Sequence, residues 1–316
     1  MTFTIVTRDL SRTFGRVRAV NHLDMRIPTG SLYGLIGPNG AGKTTTIRML
    51  AGLLEPSSGE IRINELSMQH YRREIQWQVG FMPDFYGVYD ELLVWEYLDF
   101  FGRCFRVEPN KRKQIVDELL ELVDLTEKRD SFVHMLSRGM RQRLCLAHAL
   151  IHDPQVLLLD EPASGLDPRA RVEMRELLRE LRAMGKTILL SSHILPELAE
   201  LCDRVAIMQR GQLVVDGSLE EILRQVSQHR FWKIQVLNHP DRAVSLIQNF
   251  PHVLSFAEVQ SKNDASGFEV ELAGGDEEAA DLLAILIQEK IRVSAFAESM
   301  SDLEEAFLSL TRAEES

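Results

Sequence analysis

Gly37-Pro38-Asn39-Gly40-Ala41-Gly42-Lys43-Thr44-Thr45 decides how the rest of the sequence is read, because it fits the pattern G-x-x-x-x-G-K-[ST]. Glycines at 37, 40 and 42 let backbone N–H groups turn inward with no side chain in the way, which makes an anion nest at a helix N-terminus. The flanks supply the context that such a loop needs. Leu32, Tyr33, Leu35 and Ile36 make a short apolar strand, and Thr46 to Leu50 begin a helix. The expected occupant is a nucleoside triphosphate, with Lys43 reaching its β- and γ-phosphates and the Thr44 hydroxyl ligating Mg²⁺. The plain alternative is a glycine-rich turn with an incidental lysine, and the number of positions fitting in register counts against it.

Working outward on the N-terminal side, Thr2 to Thr7 and Ala19 to Ile27 alternate β-favouring with polar residues, as antiparallel strands do. Phe14 lies between them, and its position alone favours a core residue over a ring stacked on a base. On the C-terminal side, Ile61 and Ile63 point the same way on a strand that follows the turn at Glu55 to Gly59. Val79 to Asp84 is a strand stopped by Pro83. The aromatic stretch Phe85, Tyr86, Val88 and Tyr89 then reads as a docking surface, against the alternative of a loop packed on its own domain. Helical spacing takes over in Leu92 to Phe105 and from Pro109 to about Leu125, with Ile115, Leu119, Leu122 and Val123 on one face.

Leu136 to Arg143 opens a further helix with Ser137 as its N-cap, ended by Asp153-Pro154. Val156 to Leu159 is an unbroken apolar run suited to a parallel strand buried on both faces. It delivers Asp160 and Glu161 at its C-terminal end, where ligands bind in open α/β sheets. With no basic residue near them in sequence, these acids read as functional and not as a solvated turn. Ser164 to Pro168 turns into a helix that ends near Gly185. Thr187 to Leu190 gives another buried strand, exposing Ser191, Ser192 and His193, and the histidine stands on the same sheet edge as Asp160. Strands at Val205 to Met208 and Gln212 to Val215, turned by Arg210-Gly211, precede a helix from Ser218 to about Val226.

Beyond that point the pattern restarts as strand (Phe231 to Leu237), helix, two strands, helix and strand, the βαββαβ order of a ferredoxin-like α+β domain. A closing helix begins at Ser301. The length of 316 residues also favours two domains, here 1–226 and 227–316, with a helical insertion at about 85–152. The charge of −11 is uneven, with 29 basic against 31 acidic residues up to Val226 and 7 against 16 beyond it. So acidic a second domain repels phosphates, which argues against nucleic acid as a partner. Cys104, Cys145 and Cys202 are far apart and form no C-x-x-C pair, so reduced cytosolic thiols are expected. No stretch has the length of a membrane span and Met1 to Phe14 lacks a signal peptide's apolar core, so attachment to a membrane is expected only through a partner.

Taken in this order, the motifs resemble the ATP-binding subunits of ABC transporters, and in particular single-cassette exporter subunits (drug, antibiotic or ion, ABC-2 type) with a small extra C-terminal domain. The resemblance covers residues 2–226. It implies a P-loop NTPase cassette with a parallel core sheet, an antiparallel β subdomain and a helical subdomain. It makes Gly37 to Thr45 the Walker A loop, Asp160 the acid that holds Mg²⁺, Glu161 the catalytic carboxylate, Asp167 the acid of the D-loop and His193 the switch histidine. Phe14 becomes the aromatic that stacks on adenine. Leu136 to Gln142 becomes the signature, whose Ser137 and Gly139 contact the γ-phosphate bound to the opposite subunit.

Two departures stand out. Arg138 and Met140 replace a glycine and the glutamine of the usual Leu-Ser-Gly-Gly-Gln, and Asp84 stands where a glutamine is usual, able to attract Mg²⁺ or a basic group on a partner. The implied protein is an ATPase using ATP and Mg²⁺ that pairs with a second nucleotide-binding subunit, most simply its own copy. It would sit peripherally on the cytoplasmic face of the cell membrane, bound to a separate transmembrane permease. Soluble ABC proteins of translation or DNA repair are the competing class, and typically carry two cassettes or a long coiled coil. A nucleotide kinase would need neither the signature helix nor Asp167 nor His193.

Overall fold

A computed structural model describes residues 2–84, 87, 89–194, 198, 201–218, 221–222, 230–259 and 266–298. By its contacts the chain forms two compact units, 1–218 and 219–316. In the first, chain order gives β1 (Phe3–Phe14), β2 (Val17–Pro28), β3 (Leu32–Ile36), α1 (Lys43–Leu50), β4 (Ser58–Ile63), β5 (Leu66–Ser67), α2 (Arg72–Gln76) and β6 (Val79–Met82). Helices α3 (Val94–Cys104), α4 (Pro109–Leu122) and α5 (Arg138–Leu150) follow, then β7 (Val156–Leu159), α6 (Pro168–Ala183), β8 (Thr187–Ser192), β9 (Arg204–Gln209) and β10 (Gln212–Gly217).

These strands make two sheets. One is antiparallel, in the order β2-β1-β4-β5, and the other runs β10-β9-β3-β8-β7-β6, parallel except for the β9–β10 hairpin. The strands β3 and β7 are buried at every position, as strands covered on both faces must be, and their apolar runs reflect it. The sheets share one core, in which Ile5, Leu10 and Met25 meet Leu35, Leu158 and Leu189, with Ile47 and Met49 of α1 between them. Because β3, β7 and β8 run in parallel register, their C-terminal ends come out at one edge. That edge carries the glycine loop, the two acids and the histidine.

The helical insertion holds together through α3, α4 and α5. The buried face of α4 is Val116, Leu119 and Leu120, with Val123 just beyond; of the expected face Leu119 and Val123 are buried, while Ile115 and Leu122 are only half-buried beside it. Val116 and Leu120 join the i, i+3, i+4, i+7 stripe, and Arg112, one turn before Val116, pairs with Asp99 of α3. Ser191 and Ser192 are a second correction. Both belong to β8 and are buried, because the strand continues past Leu190 in register with Leu35 and Ile36.

The second unit comprises β11 (Arg230–Val236), α7 (Pro240–Gln248), β12 (Val253–Val259), β13 (Ser266–Leu272), α8 (Asp276–Gln288) and β14 (Val293–Glu298). Its antiparallel sheet has the order β12-β13-β11-β14 around a core of Ile234, Ile247, Phe268, Val270 and Leu282. The sequence-based division at Val226 and the helix leading to it fall mostly outside the described residues, of which Glu221 and Ile222 are helical. The closing helix from Ser301 lies wholly outside them, as do Phe85, Tyr86 and Val88.

Candidate nucleotide-binding site

The glycines of the loop are required by close approach. Gly37 sits against the Met208 carbonyl of β9, and Gly42, at φ +110°, against the Ala19 carbonyl of β2; a Cβ at either position would collide with backbone. The turn of the β9–β10 hairpin braces the loop from behind, with Gly211 N–H donating to the Ala41 carbonyl at 2.9 Å. Sequence spacing gave no hint of this brace, since 170 residues separate its halves.

Lys43 is the first residue of α1 and is almost fully buried, with 6% of its side chain exposed. A buried ammonium needs acceptors for its protons. Its Nζ donates to the Gly37 carbonyl at 2.6 Å and the Pro38 carbonyl at 3.3 Å, and lies 3.6 Å from Glu161 Oε1. The other Glu161 oxygen, Oε2, is 2.9 Å from His193 Nδ1. The expected catalytic trio is thus one connected group, assembled from the ends of β3, β7 and β8.

Ser191 holds the two acids in place. Its hydroxyl donates to Asp160 Oδ1 at 2.7 Å and accepts the Glu161 N–H at 2.9 Å. The Glu161 backbone has φ +51°, a strained conformation for a side-chain-bearing residue, and the Ser191 bond helps to hold it there. Sequence reading passed over Ser191 as an exposed strand end. The available signal was a hydroxyl immediately beyond a buried parallel strand, opposite a carboxylate on the neighbouring one.

Asp160 itself is 1% exposed, and its Oδ2 has no hydrogen-bond partner. Burial raises its pKa, the Ser191 hydrogen bond and the adjacent Thr44 hydroxyl oppose the rise, and nearby Asp84 and Glu161 add to it. An orphaned carboxylate oxygen beside a hydroxyl is a donor set for a hard cation that takes its remaining ligands from phosphate and water. Among the described residues no group of three or more His, Cys, Asp and Glu could hold a metal ion unaided. Thr44 and Asp160 therefore fit Mg²⁺ arriving with a triphosphate, and do not build a metal cage of their own.

A cleft of about 450 Å³ opens over the loop, lined by Phe14, Ala19, Asn39 to Thr45, Asp84, Glu161, Ser164 and His193. Phe14 is 45% exposed, with the Arg12 guanidinium 4.6 Å from its ring centroid, so the core reading for this residue is overturned. It ends a strand at the rim, where the sheet gives it no layer to pack against. Ser137, Gly139 and Asp167 are not among the cleft's lining residues. Ser137 caps α5, accepting the Met140 N–H at 3.3 Å, and Asp167 caps α6, accepting the Ala170 N–H at 2.9 Å. Gly139 packs toward α6, where a Cβ would stand 3.2 Å from that of Ala170.

The family pattern described as ABC transporter matches residues 20–164. The Nod factor export ATP-binding protein I of Burkholderia lata is 43% identical over 211 residues, which is 67% of this chain and 69% of that protein. Its counterpart in Rhizobium meliloti is 41% identical over 216 residues, 68% of this chain and 64% of that protein. A solved structure described as the ATP-binding subunit of an ABC transporter superposes with a TM-score of 0.65 at 31% identity, covering 72% of this chain and 94% of the other.

Proposed function

Since the chain belongs to the ABC transporter family as an ATP-binding subunit, an ATPase partnered by a separate membrane permease, we propose that two copies close head to tail around two ATP molecules to power export. The observation that carries this reading is the shared hold of Lys43 and His193 on one carboxylate, Glu161, in the cleft of the glycine loop. An arriving γ-phosphate competes for both of those cationic or donor groups. As they turn to phosphate, Glu161 is released to orient the attacking water and accept its proton, while the bond from the γ-phosphorus to the bridging oxygen breaks in line. Lys43 neutralises the charge that spreads over the γ-phosphoryl oxygens, and His193 hydrogen-bonds one of them. Thr44 and Asp160, with Asp84 nearby, would hold Mg²⁺, which would add to the neutralisation of the phosphates.

Each site is completed from across the pair. Ser137 and Gly139 lie outside the cleft of their own chain, and the amides at the start of α5 suit the γ-phosphate of a second copy. Export follows from the relatives named for export. In this reading the chain acts at the cytoplasmic face of the membrane, held there by the permease; among the described residues no helix is long and apolar enough to cross a membrane. The exposed rings of Tyr89 and Phe100, in edge contact at 5.6 Å, support docking of the permease on the helical insertion. The second unit serves pairing or regulation.

The test is Glu161→Gln. This variant binds ATP, loses a factor of about 10²–10⁴ in turnover, as removal of a general base does, and accumulates as an ATP-dependent dimer on a sizing column. Turnover at the wild-type rate removes Glu161 from its role.

A further inference from the structure

Arg138 stands where the family usually has glycine, and its side chain is engaged within its own chain. Its Nη2 donates to the Ser164 carbonyl at 3.1 Å. Its guanidinium lies against Gly165, whose φ of +66° turns the backbone so closely under it that a Cβ there would collide with the planar group. The residue does nothing for its helix. A cation in the first turn opposes the helix dipole, and α5 has no acidic residue there to offset it.

What Arg138 grips is the turn that follows the catalytic carboxylate. Ser164 N–H donates to the Glu161 carbonyl at 3.1 Å, and Ser164 also lines the cleft over the glycine loop. On its other side Arg138 directly follows Ser137, the capping hydroxyl turned to a second copy in the proposed pair. One side chain therefore joins the element that serves the partner's triphosphate to the element that serves the chain's own.

We infer that Arg138 is a positioning residue that couples the two ATP sites of the pair. The inference rests on the paired-site reading above. When the partner's γ-phosphate draws in the Ser137 turn, Arg138 carries the Ser164 carbonyl with it, and the backbone of Glu161 is reset. Closure at one site thus sets the acid at the other. A guanidinium that instead acted as a charge on the partner's phosphate would alter turnover without altering the dependence of one site on the other.

The experiment is steady-state ATP hydrolysis by the full-length chain over a range of ATP concentrations, with wild type, Arg138→Met and Arg138→Lys. Met keeps the apolar stem and removes every donor; Lys keeps a donor and the charge. Wild type is expected to be cooperative, with a Hill coefficient approaching the ceiling of about 2 set by two sites. R138M should fall to about 1, the loss of a coupling that typically spans roughly 5- to 150-fold in affinity, while R138K recovers part of the cooperativity. Binding of a fluorescent ATP analogue to the unpaired chain, at protein concentrations too low for pairing, should stay within about two-fold for all three, since none of the changes touches the glycine loop. Should R138M fail to fold, R138G, carrying the residue usual in the family, takes its place. Cooperativity intact in R138M or R138G, or lower turnover with an unchanged Hill coefficient, overturns the inference and leaves the site reading standing. Non-cooperative hydrolysis by wild type also overturns it. Wild type that fails to hydrolyse ATP, together with Glu161→Gln that fails to pair, overturns the site reading, and this inference falls with it.

Discussion

Replacing Ser191 by Ala separates the frame of the site from its chemistry. The hydroxyl is fully buried and serves two charged or polar groups at once, Asp160 Oδ1 at 2.7 Å and the Glu161 N–H at 2.9 Å. Alanine fits the space, so no packing is lost beyond one oxygen. It leaves a carboxylate whose other oxygen already lacks a partner, and an amide N–H with no acceptor. A buried group left unsatisfied costs about 1–3 kcal/mol, so the two together cost about 2–6 kcal/mol. That is a large share of the roughly 5–15 kcal/mol by which domains are stable. Loss of the hydrogen bond also removes one of the two contacts that oppose the raised pKa of Asp160. With Glu161 no longer held at φ +51°, turnover should fall by about 10²-fold, the scale of a misplacement near 1 Å. Urea unfolding measures the stability change. Trp77 and Trp95 report on the first unit and Trp232 on the second, so a Trp232→Phe background isolates the cassette signal. A change below about 0.5 kcal/mol, the level of an ordinary surface substitution, with ATPase activity intact would refute the reasoning.

Two further tests address the base site and the helical insertion. Phe14→Ala should weaken ATP binding by roughly 5- to 150-fold, the equivalent of about 1–3 kcal/mol for one ring stacked on a base, with little change in melting temperature because the ring is 45% exposed; equal affinity by titration calorimetry would exclude stacking. His148 packs on Phe101 at 3.7 Å between ring centroids, and burial first, then the neighbouring His152, lowers its pKa from 6.5 to about 4. The unfolded chain then binds the proton more readily than the folded one, so stability present at neutral pH is lost as pH falls from about 6.5 toward 4. Between pH 7 and pH 5 the loss is about 2 kcal/mol at 1.36 kcal/mol per pH unit below the unfolded value, and His148→Phe should remove that part of the pH profile. Parallel profiles for the two proteins would show that the histidine is protonated in the fold.

Much of the fold was readable because its signals are local. The glycines at 37, 40 and 42, the apolar runs of β3 and β7, and the capping Ser137 and Asp167 each act within a few residues. Strand alternation, helix spacing and turn chemistry also work at that range, so the order of most elements followed from them, the short β5 and α2 excepted. The misreadings arose where a neighbour distant in sequence decides. Phe14 was placed in the core because an apolar residue between strands usually packs, but the rim of its sheet leaves it uncovered. Ser191 looked like a strand end because nothing near it in sequence shows Asp160 lying opposite.

By itself, then, the sequence determined which chemical groups exist and which backbone each rides on: a loop that can nest phosphate, two acids after one buried strand, a histidine after another. Tertiary structure decided their separations. The Lys43–Glu161–His193 contacts, the Ser191 bridge and the seat of Arg138 over Gly165 join residues that stand from 27 to 118 positions apart in the chain. No pattern of adjacent residues encodes such distances, because they follow from how the two sheets pack on a shared core.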